Sequence, residues 1–582
     1  MRMRVTPADL HAENARRVDV RDRTYLLPQD PPQLPGGLAG RSPAALEQEL
    51  CAAGVSYVIV DADGVRVVAD HRGNQHLYCH RTESATGPEF TITDDLFSFA
   101  GMLPIDDDVA RLVPLMKFVP PPLCLAQGAE RVLPGTARVY DRRSLRPIRD
   151  ESFLHDLFGG GAARVSQDEV RDTLAAIVAE EAQRLSTAAV FLSGGNDSAL
   201  LIHLLKRCGQ APQTWTATFD TAAGRHEAGL AAATASCYGV TWRSVELTKE
   251  IALRHLPAIL DAIKEPFADV ALVPEAVLGL RMREAMGDPP DPIAVFEGEG
   301  MDSLMCGSYK FVAEHYRRLV SPLLACVPQA ALRGADRRTG WGALKLKIGQ
   351  TKALLRGGSL FERHLRFLLD DQFTASVPSP LRDEVAATFR SYYDLMPQLE
   401  ELNRAAIMTF QGNLPNLENR KLRVVAECAG IDFRLVYQDP RFIRMAMATA
   451  VGDKIGGGYG KRIVKEAFRG DLPPHVLTRR KGSFVPPVMD WVHPEHEELL
   501  LSSRLFERDE IQRRLREHVA GRQDHLPFLW GLLVTNSWMR RYEARKIEPQ
   551  ASLASERLAH AIREAPERDT ADRQGRVAAE PS

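Results

Sequence analysis

The stretch FLSGGNDSALLIHLL, residues 191–205, breaks an apolar run with Ser, Gly, Asn and Asp and then turns apolar again. A plain turn needs one or two such residues, yet Ser193, Gly194, Gly195, Asn196, Asp197 and Ser198 all crowd the exit of a predicted strand. A strand that ends in Ser-Gly-Gly and opens a helix gathers backbone N–H groups and a positive helix end around one concavity, which suits an oligophosphate. Ser193 and Ser198 add hydroxyl donors. Phosphate would repel the Asp197 carboxylate unless a cation lay between them, so this aspartate predicts magnesium. A glycine-rich turn with a capping serine is the alternative reading of the same residues. No Walker-type loop competes: GGGYGKR has Ile455 where the first glycine belongs and Arg462 where Ser or Thr belongs.

Outward from this loop, strands and helices alternate: AAVFL, TWTATFD, TWRSVEL and PIAVFEG are separated by helical stretches such as HEAGLAAATASCY, the rhythm of a parallel sheet. The helix after Asp197 is apolar nearly all round (Ala199, Leu200, Leu201, Ile202, Leu204, Leu205), which predicts a place inside the core. In AVFEGEGMDSLMCGSYK, residues 294–310, another strand ends in Gly298, Glu299, Gly300 and Asp302. Strand ends of an open parallel sheet converge on one crevice, so Asp197 and Asp302 are predicted to share a metal ion; both as helix caps is the alternative. A basic run, Arg479, Arg480 and Lys481, follows the helix after GGYGKR, and such runs are usually solvated surface. Residues 310–545 read as mostly helical, with loops at GNLPNLENR and GGGYGKR.

The chain has 582 residues, 45% hydrophobic and 26% charged, and 74 Lys+Arg against 76 Asp+Glu. No basic field favours nucleic acid or an anionic membrane. The eight cysteines show no CxxC or zinc-finger spacing, the amino terminus lacks an apolar signal core, and no run approaches membrane-spanning length. A cytoplasmic protein is expected. The domain reading is an irregular arm over 1–45, a β-rich region over 46–150, an α/β domain over 160–545 and a mostly disordered tail over 546–582.

Six segments together resemble the asparagine synthetase superfamily: FLSGGNDS, ATFDTAAGRHEAGLAAATASCYG, IKEPFADVALVP, GEGMDSLMCGSY, ENRKLRVVAECAGIDFRLVYQDPRFI and GKRIVKEAFRGDLPPHVLTRRKGSF occur in that family's order. The resemblance implies a Rossmann-like parallel-sheet ATP-pyrophosphatase domain with a large helical part. It also implies that Ser193, Gly194, Gly195, Asp197 and Ser198 hold the pyrophosphate and its magnesium, with Leu192, Phe219 and Gly298 lining the nucleotide and Asp302 as the second metal carboxylate. Glu299 would take a proton from the attacking amine, Lys481 would steady the phosphates and acyl group, and Lys461 would be a second cation. The implied cofactors are ATP and Mg2+; the implied reaction is adenylation of a carboxylate followed by amide formation.

Residues 46–150 resemble the later half of the family's Ntn-type glutaminase domain, with Asp70 and Gly73 in place, but the chain begins Met-Arg-Met-Arg and its first cysteine is Cys51. An inactive, truncated glutaminase-like domain is expected. Glu297 stands where the family often has Ser, and MDSLMCGSY departs from the usual segment after the metal aspartate. Relatives without the glutaminase cysteine include β-lactam synthetases and lasso-peptide macrolactam cyclases; Glu299 argues against the former, which places Tyr there. The expected partners are a small-molecule or peptide carboxylate and an amine, with a leader-peptide-binding or protease partner under the macrolactam reading. An ammonia-using asparagine synthetase, an RNA-modifying enzyme with the same loop and a non-catalytic nucleotide-binding partner remain as alternatives.

Overall fold

The computed structural model describes residues 2–545 except 6–9, 14, 21–22, 29–41, 63, 86, 160–163, 186, 290, 329–330, 332–344, 346–347, 350, 353–354, 356, 479–495, 521–522 and 524. The tail over 546–582 and Lys481 therefore lie outside the described residues.

The amino-terminal part is antiparallel. Its strands are β1 (Arg2–Val5), β2 (Leu10–Glu13), β3 (Ala15–Val20), β4 (Arg23–Pro28), β5 (Tyr57–Val60), β6 (Val65–Val68), β7 (Leu77–Ser84), β8 (Gly87–Thr93), β9 (Glu130–Val132), β10 (Thr136–Tyr140) and β11 (Pro147–Ser152). They form two sheets, ordered β2-β1-β8-β7-β9 and β11-β10-β6-β5-β4-β3. Period-2 alternation splits the second sheet between two cores: Leu26, Val58, Val65 and Val67 pack with Ile92 and Cys79 of the first sheet, whereas Tyr25, Leu27, Tyr57 and Ile59 pack with Leu46 and Leu50 of the helix Pro43–Ala53. This corrects the expected irregular arm over 1–45, which contains β1–β4. Short strands loaded with Arg and Asp hide their alternation, and β4 is apolar on both faces because both faces are covered.

Five further strands form a wholly parallel sheet: β12 (Ala189–Phe191), β13 (Gln213–Thr218), β14 (Trp242–Glu246), β15 (Ile293–Phe296) and β16 (Ile431–Arg434), ordered β14-β13-β12-β15-β16. From β12 the chain runs outward through β13 to β14, then crosses back to β15 and out to β16. The direction reverses between β12 and β15, and a doubly wound sheet opens its ligand crevice at the carboxyl ends of such a strand pair. The helix after β12, α1 (Asn196–Arg207), is buried along Ser198–Ile202 and at Leu204 and Leu205, as its apolar surround predicts. Strand β16 falls inside the stretch read as helical.

The segment GNLPNLENR is helical rather than a loop. Helix α2 (Glu401–Asn413) runs through a π turn, Leu414–Glu418, into α3 (Asn419–Ala429). The wide turn absorbs Pro415, which has no N–H to give, and Asn416 Nδ2 donates to Gly412 O at 2.7 Å. Onto this turn docks the loop after β6. Asp70 shapes that loop by accepting from Arg72 N (2.9 Å) and Ser56 Oγ (2.8 Å). At Gly73 (φ +62°) a Cβ would come 2.5 Å from Pro415 Cβ, so glycine is required twice over. Among the described residues no helix is long and apolar enough to cross a membrane.

Candidate active site

The loop after β12 folds over its own hydroxyls. Leu192 N extends the ladder to Trp215 O at 2.8 Å; Gly195 N donates to Ser193 Oγ (3.3 Å), Ser198 Oγ donates to Ser193 O (3.1 Å), and the two hydroxyl oxygens lie 3.2 Å apart. Gly195 caps α1 in an extended conformation, without a side chain to shield the first-turn N–H groups. Phe219 follows β13 and is buried. Gly298 follows β15, where a Cβ would approach Asp197 Cβ to 3.0 Å. Leu192, Ser193, Gly194, Gly195, Asp197, Ser198, Phe219 and Gly298 thus gather at the carboxyl ends of three adjacent strands.

Across the β12/β15 reversal, Asp197 and Asp302 do meet over one cation, and in the protein as it stands that cation is Lys461. Its Nζ lies 2.8 and 2.7 Å from the two carboxylate oxygens of Asp197 and 2.7 Å from Asp302 Oδ1. Local structure forces it there. Lys461 sits at φ +61° after Gly460, and its N–H donates to Met305 O at 3.0 Å. A Cβ at Gly460 would come 2.0 Å from Cys306 O, and one at Gly307 would come 2.0 Å from Asp302 Oδ1 and 2.3 Å from Lys461 Cε. The two turns press together and drive the lysine between the carboxylates. Burial disfavours the ammonium, but Asp197 and Asp302 outweigh it and hold its pKa above the ordinary lysine value. Lys465, one helical turn further on, is shifted down by burial and by Lys461. Tyr437 Oη donates to Asp197 O at 2.9 Å, fixing the aspartate's backbone.

Among the described residues no group of three or more His, Cys, Asp or Glu could hold a metal ion. Magnesium takes one or two carboxylates and completes its shell with phosphate and water rather than with a protein cage. Two carboxylates already converging on one positive charge beside paired hydroxyls and a helix start are the donor set a magnesium–pyrophosphate unit needs.

Glu299 occupies the same edge within a second charged cluster. Lys421 on α3, nearly inaccessible, donates to Glu275 Oε1 (2.7 Å) and Glu299 Oε1 (3.3 Å). Glu275 belongs to the helix Leu272–Ala285. Burial works against the Lys421 ammonium, but Glu275, Glu299 and Asp269 hold its pKa well above the usual value. Glu297 is pushed far above the carboxylate range by burial and by repulsion from Glu275 and Glu299. Glu275 is raised to about 7 by burial, reinforced by Asp269 and Glu299 and opposed by Lys421.

Of the residues expected from sequence, Lys481 lies outside the described part, Lys461 moves from a second cation to the centre of the aspartate pair, and the others share one edge. Lys421 and Glu275 were missed as functional residues. Lys421 sits inside the landmark that begins ENRKLR and Glu275 directly follows IKEPFADVALVP, and a lysine on the buried face of a helix was the available signal.

A sequence model described as asparagine synthase matches residues 169–540. A Mycobacterium tuberculosis protein provisionally named asparagine synthetase (glutamine-hydrolyzing) is 23% identical over 519 residues, covering 82% of this chain and 76% of that protein. Asparagine synthetase (glutamine-hydrolyzing) 1 of Bacillus subtilis is 22% identical over 465 residues, 75% of this chain and 68% of that protein. With the Ser-Gly-Gly loop, the reversal between β12 and β15 and the shared cation in place, the chain belongs to the asparagine synthase family and is an ATP-dependent ligase that forms C–N bonds.

Proposed function

We propose that this ligase adenylates a substrate carboxylate, releases pyrophosphate and passes the acyl group to an amine other than ammonia drawn from glutamine, in peptide or other natural-product biosynthesis such as macrolactam formation. The observation that carries the ligase chemistry is the Asp197–Lys461–Asp302 arrangement at the strand reversal. Backbone N–H groups at the start of α1 and the hydroxyls of Ser193 and Ser198 bind the phosphates, which orients the α-phosphorus toward the incoming carboxylate. Magnesium, held by Asp197 and Asp302, would neutralise the leaving pyrophosphate. Lys461 supplies a further positive charge, and Lys481 is assigned the same work at the acyl end by its place in the family pattern. Glu299 takes the proton that the amine must lose as it attacks.

The absence of glutaminase activity is supported by thiol chemistry. A cysteine nucleophile must ionise readily, and the three thiols of the amino-terminal part, Cys51 on the helix Pro43–Ala53, Cys79 on β7 and Cys124 in a loop, are shifted the wrong way: burial raises Cys51, and raises Cys79 and Cys124 each to about 12. A second pairing, aspartate with free ammonia, keeps the asparagine synthetase part of the relatives' names while departing from their glutamine-hydrolyzing part. The test is pyrophosphate release from ATP with aspartate plus ammonium chloride, aspartate plus glutamine, and linear peptides carrying a side-chain carboxylate. Release with peptide alone is expected; glutamine-dependent release of glutamate and amide would overturn the proposal.

A further inference from the structure

We propose that Lys421 is a positioning residue for the Glu299 carboxylate and is itself clamped by Glu275; the inference rests on the reading of Glu299 as the acceptor of the amine proton. A buried ion pair is weak evidence for stability, since apolar side chains of similar volume usually serve as well or better. Lys421 is only 4% exposed, yet it projects from α3 to Glu299, the carboxylate assigned above to accept the amine proton. It engages Oε1 of Glu299 and leaves Oε2 with no protein partner among the described residues. Gln438 Nε2 holds the same residue by its backbone, donating to Glu299 O at 3.4 Å. The carboxylate is thus fixed from side chain and main chain, with one oxygen open.

In the step concerned, the amine nitrogen forms a bond to the acyl carbon and the bond from that carbon to the AMP phosphate oxygen breaks. AMP leaves with the electron pair, and one N–H proton passes to Glu299 Oε2. Lys421 touches none of the reacting atoms. Its work is to keep the accepting oxygen turned toward the nitrogen while Glu275, 2.7 Å from its Nζ, prevents the lysine from swinging toward Glu297 or the phosphates. Glu297 makes no bond to Lys421, and burial and its acidic neighbours Glu275 and Glu299 push its pKa well above the carboxylate range. One ammonium held between Glu275 and Glu299 therefore fixes which oxygen of Glu299 stays open.

The test has two arms on the full-length protein. Crystal structures of the nucleotide-free wild type, K421M and K421R are expected to show the Glu299 carboxylate displaced or split between rotamers in K421M and returned in K421R; an unmoved carboxylate in K421M overturns the proposal. For the second arm, L-aspartate, ATP with magnesium, and hydroxylamine as the amine probe separate hydroxamate formation from ATP–pyrophosphate exchange. K421M should lower kcat for hydroxamate by roughly 100-fold, with the hydroxylamine KM changed less than about twofold, exchange reduced far less and K421R recovering part of the loss. K421M combined with Glu299→Gln should be no slower than Glu299→Gln alone, because the two act as one unit. Normal hydroxamate formation by K421M beside a crippled Glu299→Gln rejects the role of Lys421 and spares that of Glu299. Normal turnover by Glu299→Gln rejects the reading of Glu299 itself. If wild type makes no hydroxamate from aspartate, the crystallographic arm alone decides; if K421M does not fold, Glu275→Gln, which keeps the lysine and removes its clamp, takes its place in both arms.

Discussion

Two buried lysines at the carboxyl edge of the parallel sheet, Lys461 and Lys421, sit among carboxylates and behave differently. Lys461 is shared by two aspartates that reach it from opposite sides of the strand reversal, and each aspartate keeps a fifth or more of its side chain open to solvent. Lys421 bonds two glutamates exposed to a similar degree, Glu275 and Glu299, and Glu297 adds a third carboxylate nearby; the surplus of acid raises the pKa of Glu275 and Glu297. The contrast teaches that the same ion-pair vocabulary serves two ends. A pair of carboxylates bridged by one cation can exchange that cation for another, whereas a cluster with more carboxylates than cations fixes orientation.

If exchange is the logic of the first cluster, removing either carboxylate strikes hardest. Asp197→Asn or Asp302→Asn should cut ATP-dependent pyrophosphate release roughly 100- to 1,000-fold, the scale of losing one electrostatic stabiliser of a developing charge. Retained release in both variants would break the comparison at its root. Next in size is Lys461→Met. It leaves two carboxylates without their cation, which should lower stability by about 2 kcal/mol, less than for a fully buried pair because both aspartates are partly solvated. Magnesium chloride should then raise the Tm of Lys461→Met more than that of wild type, because the ion no longer competes with an ammonium. Equal magnesium shifts in the two proteins would mean that lysine and metal do not share the site.

Much of the first cluster was legible in the sequence. The SGG exit of a strand, the Asp in its shadow and the second Gly-rich strand end have local signatures, and the rule of converging strand ends joins them across a hundred residues. The position of Lys461 was not legible, because it depends on two turns pressed into van der Waals contact at Gly307 and Gly460, a tertiary fact with no local period. The Lys421 cluster was illegible for a related reason. Lys421 and Glu275 lie on two helices packed side by side, and a charged residue on a helix reads as surface until the partner helix is known. Strands β1–β4 escaped notice since their apolar residues are few and shared between two cores, and the π turn at Leu414–Glu418 hid behind Gly and Pro, which punctuate loops far more often than helices.

The smallest expected effect probes the second cluster directly. Glu297 has a folded-state pKa raised above its unfolded value, by burial and by Glu275 and Glu299. Its protonated form therefore contributes stability that is fully present below the unfolded value near 4.5 and is lost as pH rises through the folded value. Glu275, with its folded value of about 7, adds to the decline between about pH 4.5 and 7. Glu297→Gln removes one acidic group while keeping size and hydrogen-bonding capacity, so the variant should match wild type at pH 4.5 and exceed it by about 1 kcal/mol at pH 8.5, in urea unfolding followed across that range. The direction separates the two clusters: neutralising an aspartate at Lys461 removes a carboxylate from a cation-binding pair, whereas neutralising Glu297 relieves a crowd. A variant less stable than wild type at pH 8.5 would mean that Glu297 is paired as a charge, and the surplus of carboxylates around Lys421 would not exist.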